Sequence, residues 1–500
     1  MDIGIDLGTT FSVAAFVNSE GKAEVIENRE GKSTTPSVVL FESDGKTVVI
    51  GEIAKENILL QPENVISHVK DVMGTRKKFK TGDGKEYSPE EISALILRKI
   101  IQDSENTRGE KAGGAVITIP AYFNDAQRKA TQDAAALAGI RVLRMINEPT
   151  AAALCFAQNE NIGQGNIMVY DLGGGTFDVS VVRISGKTAQ TVATGGIRKM
   201  GGHFFDQLIM NQVTDYLEET HGLDLYEDGY LDELQELALK AENAKLQLSS
   251  IDKTDIIVKI GKVKERIAVR REDFEKKIEK HYLRTEAVMN MVLADAGMKY
   301  QDLDYILLVG GSSKIPFIQQ KIRAVSGMIP STNVNPDEAV ALGAAYFADF
   351  LRQEMKAEKP AVVDVCSHSL GVVTMTSDTR RRVNSVVISR NSSLPVTQSK
   401  IFYTSMPDQR VLQLEVTEGE GRDLEYVSII TDFKISLPTG LRDRTPVEIR
   451  LQLDEDQLLH VFTVIEQAGF TEECRFERLQ NKTGRELTES EALISDIEVE

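Results

Sequence analysis

Ile3-Gly4-Ile5-Asp6-Leu7-Gly8-Thr9-Thr10 opens the chain, and 165 residues further on the pattern returns as Met168-Val169-Tyr170-Asp171-Leu172-Gly173-Gly174-Gly175-Thr176. Each copy is a short apolar run that ends in an aspartate and passes into a glycine and threonine turn. An apolar or alternating run follows each turn, over residues 11–17 and 177–184, so each copy predicts a strand, a tight turn and a second strand. A P-loop or a dinucleotide fingerprint would run from strand through glycines into a helix. Gly31-Lys32-Ser33 also fails as a P-loop, because Ile26 stands where its first glycine belongs.

Glycine lets backbone amides approach an anion closely and threonine hydroxyls add donors, so two such hairpins facing each other would clamp a polyphosphate. Asp6 and Asp171 close the two first strands and are hard oxygen ligands suited to hold Mg²⁺ through water. One such hairpin is as easily a plain turn; the duplication is what points to a ligand. A third glycine turn, Gly310-Gly311-Ser312-Ser313-Lys314, follows the apolar run 305–309 and precedes Ile315, Ile318 and Ile322 at helical spacing. Strand, glycines and helix start suit an adenosine or a phosphate.

Around these motifs the texture changes once. Up to about Leu351, short apolar runs alternate with longer helical patterns, which reads as α/β layers. Beyond Val362, runs such as Val447-Glu448-Ile449-Arg450-Leu451-Gln452-Leu453 alternate strictly between turn residues, the pattern of an antiparallel sandwich. A charged stretch closed by Pro360 lies between. A chain of 500 residues predicts more than one domain, and no apolar run approaches the ~18 residues of a membrane span. The net charge of −18, with no basic face, excludes a phosphate-backbone binder and so a nucleic-acid partner. Cys155, Cys366 and Cys474 are odd in number without a close pair, which argues against a disulfide framework or zinc knuckle and for a reducing compartment. The start, MDIGIDLGTT, has no signal-peptide pattern, so a cytoplasmic protein without membrane attachment is expected.

IDLGTT, AVITIPAYFNDAQRKATQDAAALAGI, INEPTAAAL, DLGGGTFDVS, LLVGGSSKIP and NPDEAVALGAA occur in that order over residues 3–345 and closely resemble the heat shock protein 70 (DnaK-type) chaperones. The resemblance implies an α/β actin-like two-lobed ATPase domain, with a ribonuclease H-like duplicated motif, followed by an all-β sandwich. It implies slow hydrolysis of ATP to ADP with Mg²⁺, leaving room for K⁺. Gly8, Thr9, Thr10, Phe11, Gly173, Gly174, Gly175, Thr176, Gly201 and Gly202 would hold the phosphates. Glu242, Lys245, Ser249, Gly310, Gly311, Ser312, Lys314 and Asp337 would hold the nucleoside side. Lys70 matches the catalytic lysine that reaches the attacking water, with Glu148, Asp171, Thr176 and Asp178 beside it. Leu246 stands where the family has an arginine that stacks on adenine, and Lys314 where arginine is common.

Pro120 and Arg128 match residues with which the family relays nucleotide state to its second domain. The domains expected are residues 1–352 for the ATPase, 353–363 for a linker, 364–485 for a peptide-binding sandwich and 486–500 for a short remnant of the lid helix. Val372, Phe402, Leu412 and Leu414 match the peptide pocket, and Ser377-Asp378-Thr379-Arg380-Arg381-Arg382 replaces a small apolar loop beside it. The leucine-rich linker is reduced to Ala361-Val362-Val363-Asp364-Val365, a departure that bears on docking of the domains. A groove without a full lid is expected to exchange peptide quickly. The partners implied are unfolded or extended polypeptides, a J-domain co-chaperone and a nucleotide exchange factor. A small-molecule kinase shares the duplicated hairpins, and a filament-forming or regulatory ATP binder is the third class; the full motif series and the β-rich C-terminal part favour the chaperone.

Overall fold

A computed structural model describes every residue except 187, 228, 354–361, 377–380 and 474–480. Most of the linker, four residues of the arginine loop and Cys474 therefore lie outside the described residues.

Both quoted motifs form antiparallel hairpins. Asp2–Leu7 pairs with Phe11–Val17, and Gln164–Leu172 with Phe177–Ser185. Each first strand also takes a parallel neighbour on its other side, Gly114–Ile119 in one sheet and Tyr305–Val309 in the other. The repeat in sequence is thus a repeat in topology: a six-stranded sheet built on the first hairpin and a five-stranded sheet built on the second.

Period-two alternation turns each sheet into a divider between two cores. Ala14 and Phe16 face a cluster with the helices Pro89–Arg108 and Asp125–Ala138, whereas Val13 and Ala15 face a middle layer. Met168, Tyr170 and Leu172 face the outer helices of the second lobe, whereas Ile167 and Val169 face the same middle layer. That layer is two helices, Glu148–Asn159 and Ala339–Gln353, packed between the sheets. The outer helices start where local chemistry dictates. Ser88 with Glu91 and Asn124 with Gln127 form capping boxes, and left-handed Gly109 and Gly139 end the same helices.

The C-terminal part forms two four-stranded antiparallel sheets that share one core. Val372, Leu414, Val416 and Ile435 come from one sheet; Val447, Ile449, Leu451 and Val461 come from the other. Pro446–Leu453 alternates between half-buried and buried along its whole length, as its sequence pattern requires.

The sandwich is docked on both lobes. Val362–Val363 adds a parallel strand to the edge of the second sheet, against Ala189 and Gln190. The shortened linker therefore retains enough chain to pair. Next to it, buried Asp364 accepts hydrogen bonds from Thr150 Oγ1 (2.6 Å), Thr191 Oγ1 (2.8 Å) and the Asn147 amide (3.4 Å). Arg390 pairs with Asp295 on the second lobe, and Arg144 with Glu455 on the first. Residues 481–500, which include the stretch expected as a lid-helix remnant, follow the sandwich. They form a helix, Gly484–Ser495, and a strand, Glu498–Val499, and both pack on the first lobe. The strand pairs with Thr47–Ile50. Its apolar residues find their buried surface there, with Ile494 fully enclosed.

Candidate functional site

The two glycine turns meet across a cleft that holds a cavity of about 600 Å³. A side chain at Gly174 would come within 2.3 Å of Thr10 Oγ1, and one at Gly175 within 2.1 Å of Asp71 Oδ1. Both atoms end side chains that can turn aside, so the spacing measures how closely the second turn approaches its neighbours. The second turn is braced from behind. The amides of Met200, Gly202 and His203 donate to the carbonyls of Gly175, Gly173 and Gly174. Gly201 and Gly202 therefore act at the start of the helix Gly202–His221 as support for the turn; Gly202 also lines the cavity, and Gly201 sits behind it. The third turn closes on the same place. Gly310, at φ +78°, lies so near the Leu172 carbonyl and Asp171 that any Cβ would clash, and Ser312 Oγ donates to the Gly173 carbonyl at 2.8 Å.

Between the turns stands one lysine among carboxylates. Lys70 Nζ donates to Glu148 Oε1 at 2.5 Å, and Thr118 Oγ1 donates to Asp6 Oδ1 at 3.2 Å. The Tyr122 amide donates to Asp178 Oδ1 at 2.9 Å. Burial, then repulsion from Glu148, pushes Asp6 up to about 7 and Asp178 up to about 7, and the same two causes raise Asp171 well above the carboxylate range. Burial opposes the charge on Lys70, yet Glu148 and Asp6 together hold its ammonium above its ordinary value. Such mutually repelling carboxylates call for a further cation, and their hard oxygens fit Mg²⁺. Among the described residues no three His, Cys, Asp or Glu side chains converge closely enough to chelate an ion. The donor set therefore fits an ion held by water and phosphate as well as by protein.

Several ion pairs and polar contacts line the rest of the cavity. Lys245 Nζ is engaged by Asp206 (2.7 Å) and the Gly202 carbonyl (3.1 Å), Glu242 by Lys55 (3.4 Å), and Lys314 by Asp337 (2.6 Å). Gly8, Thr9, Thr10, Phe11, Gly173, Thr176, Ser249, Gly311 and Leu246 also line the cavity. Leu246 is 59% exposed and offers an apolar edge where a stacking arginine would stand. Asp178 reaches the cluster from below, outside the cavity lining.

Some site residues carry no motif of their own. His68, in a left-handed backbone at φ 54°, meets the ring of His203 with centroids 4.5 Å apart and planes tilted by 35°. Burial, then His203, pushes its imidazole down to about 4. Asp206 sits one helical turn after Gly202, but its partner Lys245 is 39 residues away, so only the folded chain pairs them.

The coupling and peptide candidates lie elsewhere. Pro120 is buried at the end of the strand Gly114–Ile119. Arg128, also buried, donates to Asn147 Oδ1 (3.2 Å), to the Ala121 carbonyl (3.0 Å) and to Ser367 Oγ of the sandwich (3.4 Å). Val372 and Leu414 are enclosed in the sandwich core, while Phe402 and Leu412 pack against it with part of their surface free. Arg381 and Arg382 of the arginine loop pair with Asp423 and Glu415.

The family model for Hsp70 protein matches residues 2–81 and 76–499. The chain is similar to the chaperone protein DnaK of Thermosipho melanesiensis, with 40% identity over 468 residues, 92% of this chain and 77% of that protein. It is similar also to the chaperone protein DnaK of Thermotoga neapolitana, with 39% identity over 469 residues and the same two shares.

Proposed function

The chain belongs to the Hsp70 family, is an ATPase and serves as an ATP-dependent molecular chaperone, and from that premise we propose how its own residues perform the work. Residues up to Arg352 form an actin-like nucleotide-binding domain, and the sandwich from Asp364 onward takes extended polypeptide segments. Thr9, Thr10, Gly174, Gly175 and Thr176 bind the phosphates of ATP from the two walls of the cleft. Glu242, Ser249, Gly310, Gly311 and Ser312 take the nucleoside, with Lys245 held in place by Asp206. Asp6 and Asp171 hold Mg²⁺, which neutralises phosphate oxygens when bound. Lys70 Nζ, steadied by Glu148, orients the attacking water and stabilises charge on the phosphoryl group, while Asp178 anchors the cluster to the Tyr122 amide. Hydrolysis of this kind needs positioning and charge neutralisation more than covalent chemistry.

Backbone hydrogen bonds to an extended segment supply affinity in such a sandwich, and an apolar pocket supplies preference. Phe402 and Leu412 reach the surface of that pocket, and Val372 and Leu414 form its floor. Pro120 and Arg128 carry the signal between domains, Arg128 by direct contact with Ser367. The clients are unfolded chains in the cytoplasm, met with a J-domain partner and an exchange factor.

The observation that carries this reading is the meeting of the two duplicated turns, with a lysine and four carboxylates between them. A labelled extended peptide, followed on the wild type and on Lys70→Ala and Thr176→Ala while ATP is added, tests it. Release by ATP in the wild type and lost turnover in both variants are expected; peptide binding indifferent to saturating ATP would reduce the protein to two uncoupled modules.

A further inference from the structure

The C-terminal helix Gly484–Ser495 does more than cover the first lobe: its contacts converge on the turn that carries Lys70. Val69 and Met73, on either side of that lysine, share a core with Ile494 and Val499. Gly74 ends the turn at φ +69°, pressed so closely on the backbone of Ala126 that a Cβ would lie 2.7 Å from it. Asn481, itself 2% exposed, donates from Nδ2 to that same Ala126 carbonyl at 2.7 Å. Arg76, two residues past Gly74, donates to the Asn481 carbonyl and to Glu486, both at 2.7 Å. Glu91, buried at the start of the neighbouring helix, accepts from Lys482 Nζ at 2.9 Å and Ser490 Oγ at 2.6 Å. Arg98 donates to the Ile494 carbonyl at 2.6 Å. The helix is therefore clamped at both ends, and the residues at its start bond to Arg76 and to Ala126, the two neighbours of the C-terminal end of the Lys70 turn.

We propose that residues 481–499 are a positioning element of the ATPase site, holding the turn 69–74 so that Lys70 Nζ stands against Glu148. Only residues 474–480 separate the sandwich strand Phe470–Glu473 from Asn481. The inference rests on the role assigned to Lys70. Positioning differs from mere support of the lobe in what it changes. A tilted turn moves the lysine out of register with the attacking water and slows the chemical step, whereas the Gly173–Gly175 turn stays braced from behind by the amides of Met200, Gly202 and His203.

The test is single-turnover ATP hydrolysis and, separately, ATP affinity for the full chain carrying Asn481→Ala, Arg76→Gln or Lys70→Ala. Asn481→Ala removes the donor to Ala126, and a slowing of hydrolysis by about tenfold with ATP affinity unchanged is expected. Arg76→Gln, at a half-exposed position that folding tolerates, is expected to slow hydrolysis several-fold in the same manner, and decides the matter if Asn481→Ala does not fold. Wild-type hydrolysis in both, while Lys70→Ala is impaired, overturns the proposal, as does a parallel loss of ATP affinity, which would mark general damage to the lobe. If Lys70→Ala is itself unimpaired, the role given to the lysine has failed, and the proposal with it.

Discussion

Glu418 shows how much a single buried side chain can say about a domain interface. It lies on the sandwich, accepts from the Asp125 amide of the first lobe at 3.3 Å, and faces Arg198 at 3.5 Å and His368 at 3.6 Å. Burial, only partly offset by Arg198, pushes its carboxyl from 4.5 up to about 7. Detached, the side chain returns to water and to its ordinary value, so the docked form binds a proton that the detached form has already lost. Its contribution to docking is fully present below pH 4.5 and is lost as pH rises through about 7. His368 acts in the opposite sense. Burial lowers it from 6.5 to about 4, so its contribution is present above pH 6.5 and is lost as pH falls through about 4. In the wild type the two slopes oppose each other through the acid range. Glu418→Gln is expected to tighten docking above pH 7 and to leave only the His368 slope, docking then weakening steadily on acidification. Solution scattering across this pH range reads the compactness; an unchanged profile in the variant would show that Glu418 is hydrated in the docked state. Lys70 is the corresponding residue on the catalytic side, and Lys70→Ala is expected to slow hydrolysis by about 10²-fold, the ordinary cost of losing one preorganised donor. Neither role can be read from a lone glutamate or lysine in a sequence, because burial and opposing charge both come from distant segments.

Among the elements, the two middle helices decide how the lobes are joined. Glu148–Asn159 and Ala339–Gln353 approach so closely at Gly343 that a Cβ there would lie 1.8 Å from the Ala151 carbonyl oxygen. Gly4, on the first strand, is pressed on the Ala345 amide in the same way, with a Cβ at 2.2 Å. Small residues let the layers touch backbone to backbone, and no side chain can rotate away to make room. Gly343→Ala is therefore expected to cost about 1–3 kcal/mol or more, since the helices themselves must separate. Thermal unfolding of the ATPase part checks it, and an unchanged midpoint would mean that the layers slide freely. The runs Ala151-Ala152-Ala153 and Gly343-Ala344-Ala345 were visible from the outset as parts of recurring motifs. Their reason, a crossing of two helices between two sheets, needed the fold. The hairpins were legible in full, because a glycine turn between alternating runs is a local signal. The helix 484–495 starts at a capping box of Thr483 and Glu486, which is local, but the surface it meets is not.

Across the whole molecule, the sandwich is fastened to the second lobe by the linker strand and, far away in sequence, to the first by Ser367 on Arg128 and Glu418 on the Asp125 amide. Asp364 is the polar centre of the first fastening, its Oδ1 shared by Thr150 and Thr191, whose hydroxyls also contact each other at 2.9 Å. Asp364→Asn is expected to weaken docking by about 1–3 kcal/mol, because an amide replaces one accepting oxygen with a donor in a buried site. ATP-driven release of bound peptide should fall in parallel. Limited proteolysis at the linker is the check, and a linker as resistant as in the wild type would remove Asp364 from the fastening. The second fastening would persist in this variant, so the sandwich should loosen without leaving the first lobe.

Local spacing was enough to specify the paired hairpins, the alternating strands of the sandwich and the glycine turns, since each depends on neighbours within a few residues. Long-range packing specified the rest: the raised carboxylates around Lys70, the contact of His68 with His203, the docking of the linker strand Val362–Val363 and the seat of the C-terminal helix. Those features arise from desolvation and from contacts between segments up to some four hundred residues apart, such as Arg76 with Glu486, and no local pattern encodes which distant surface will supply them.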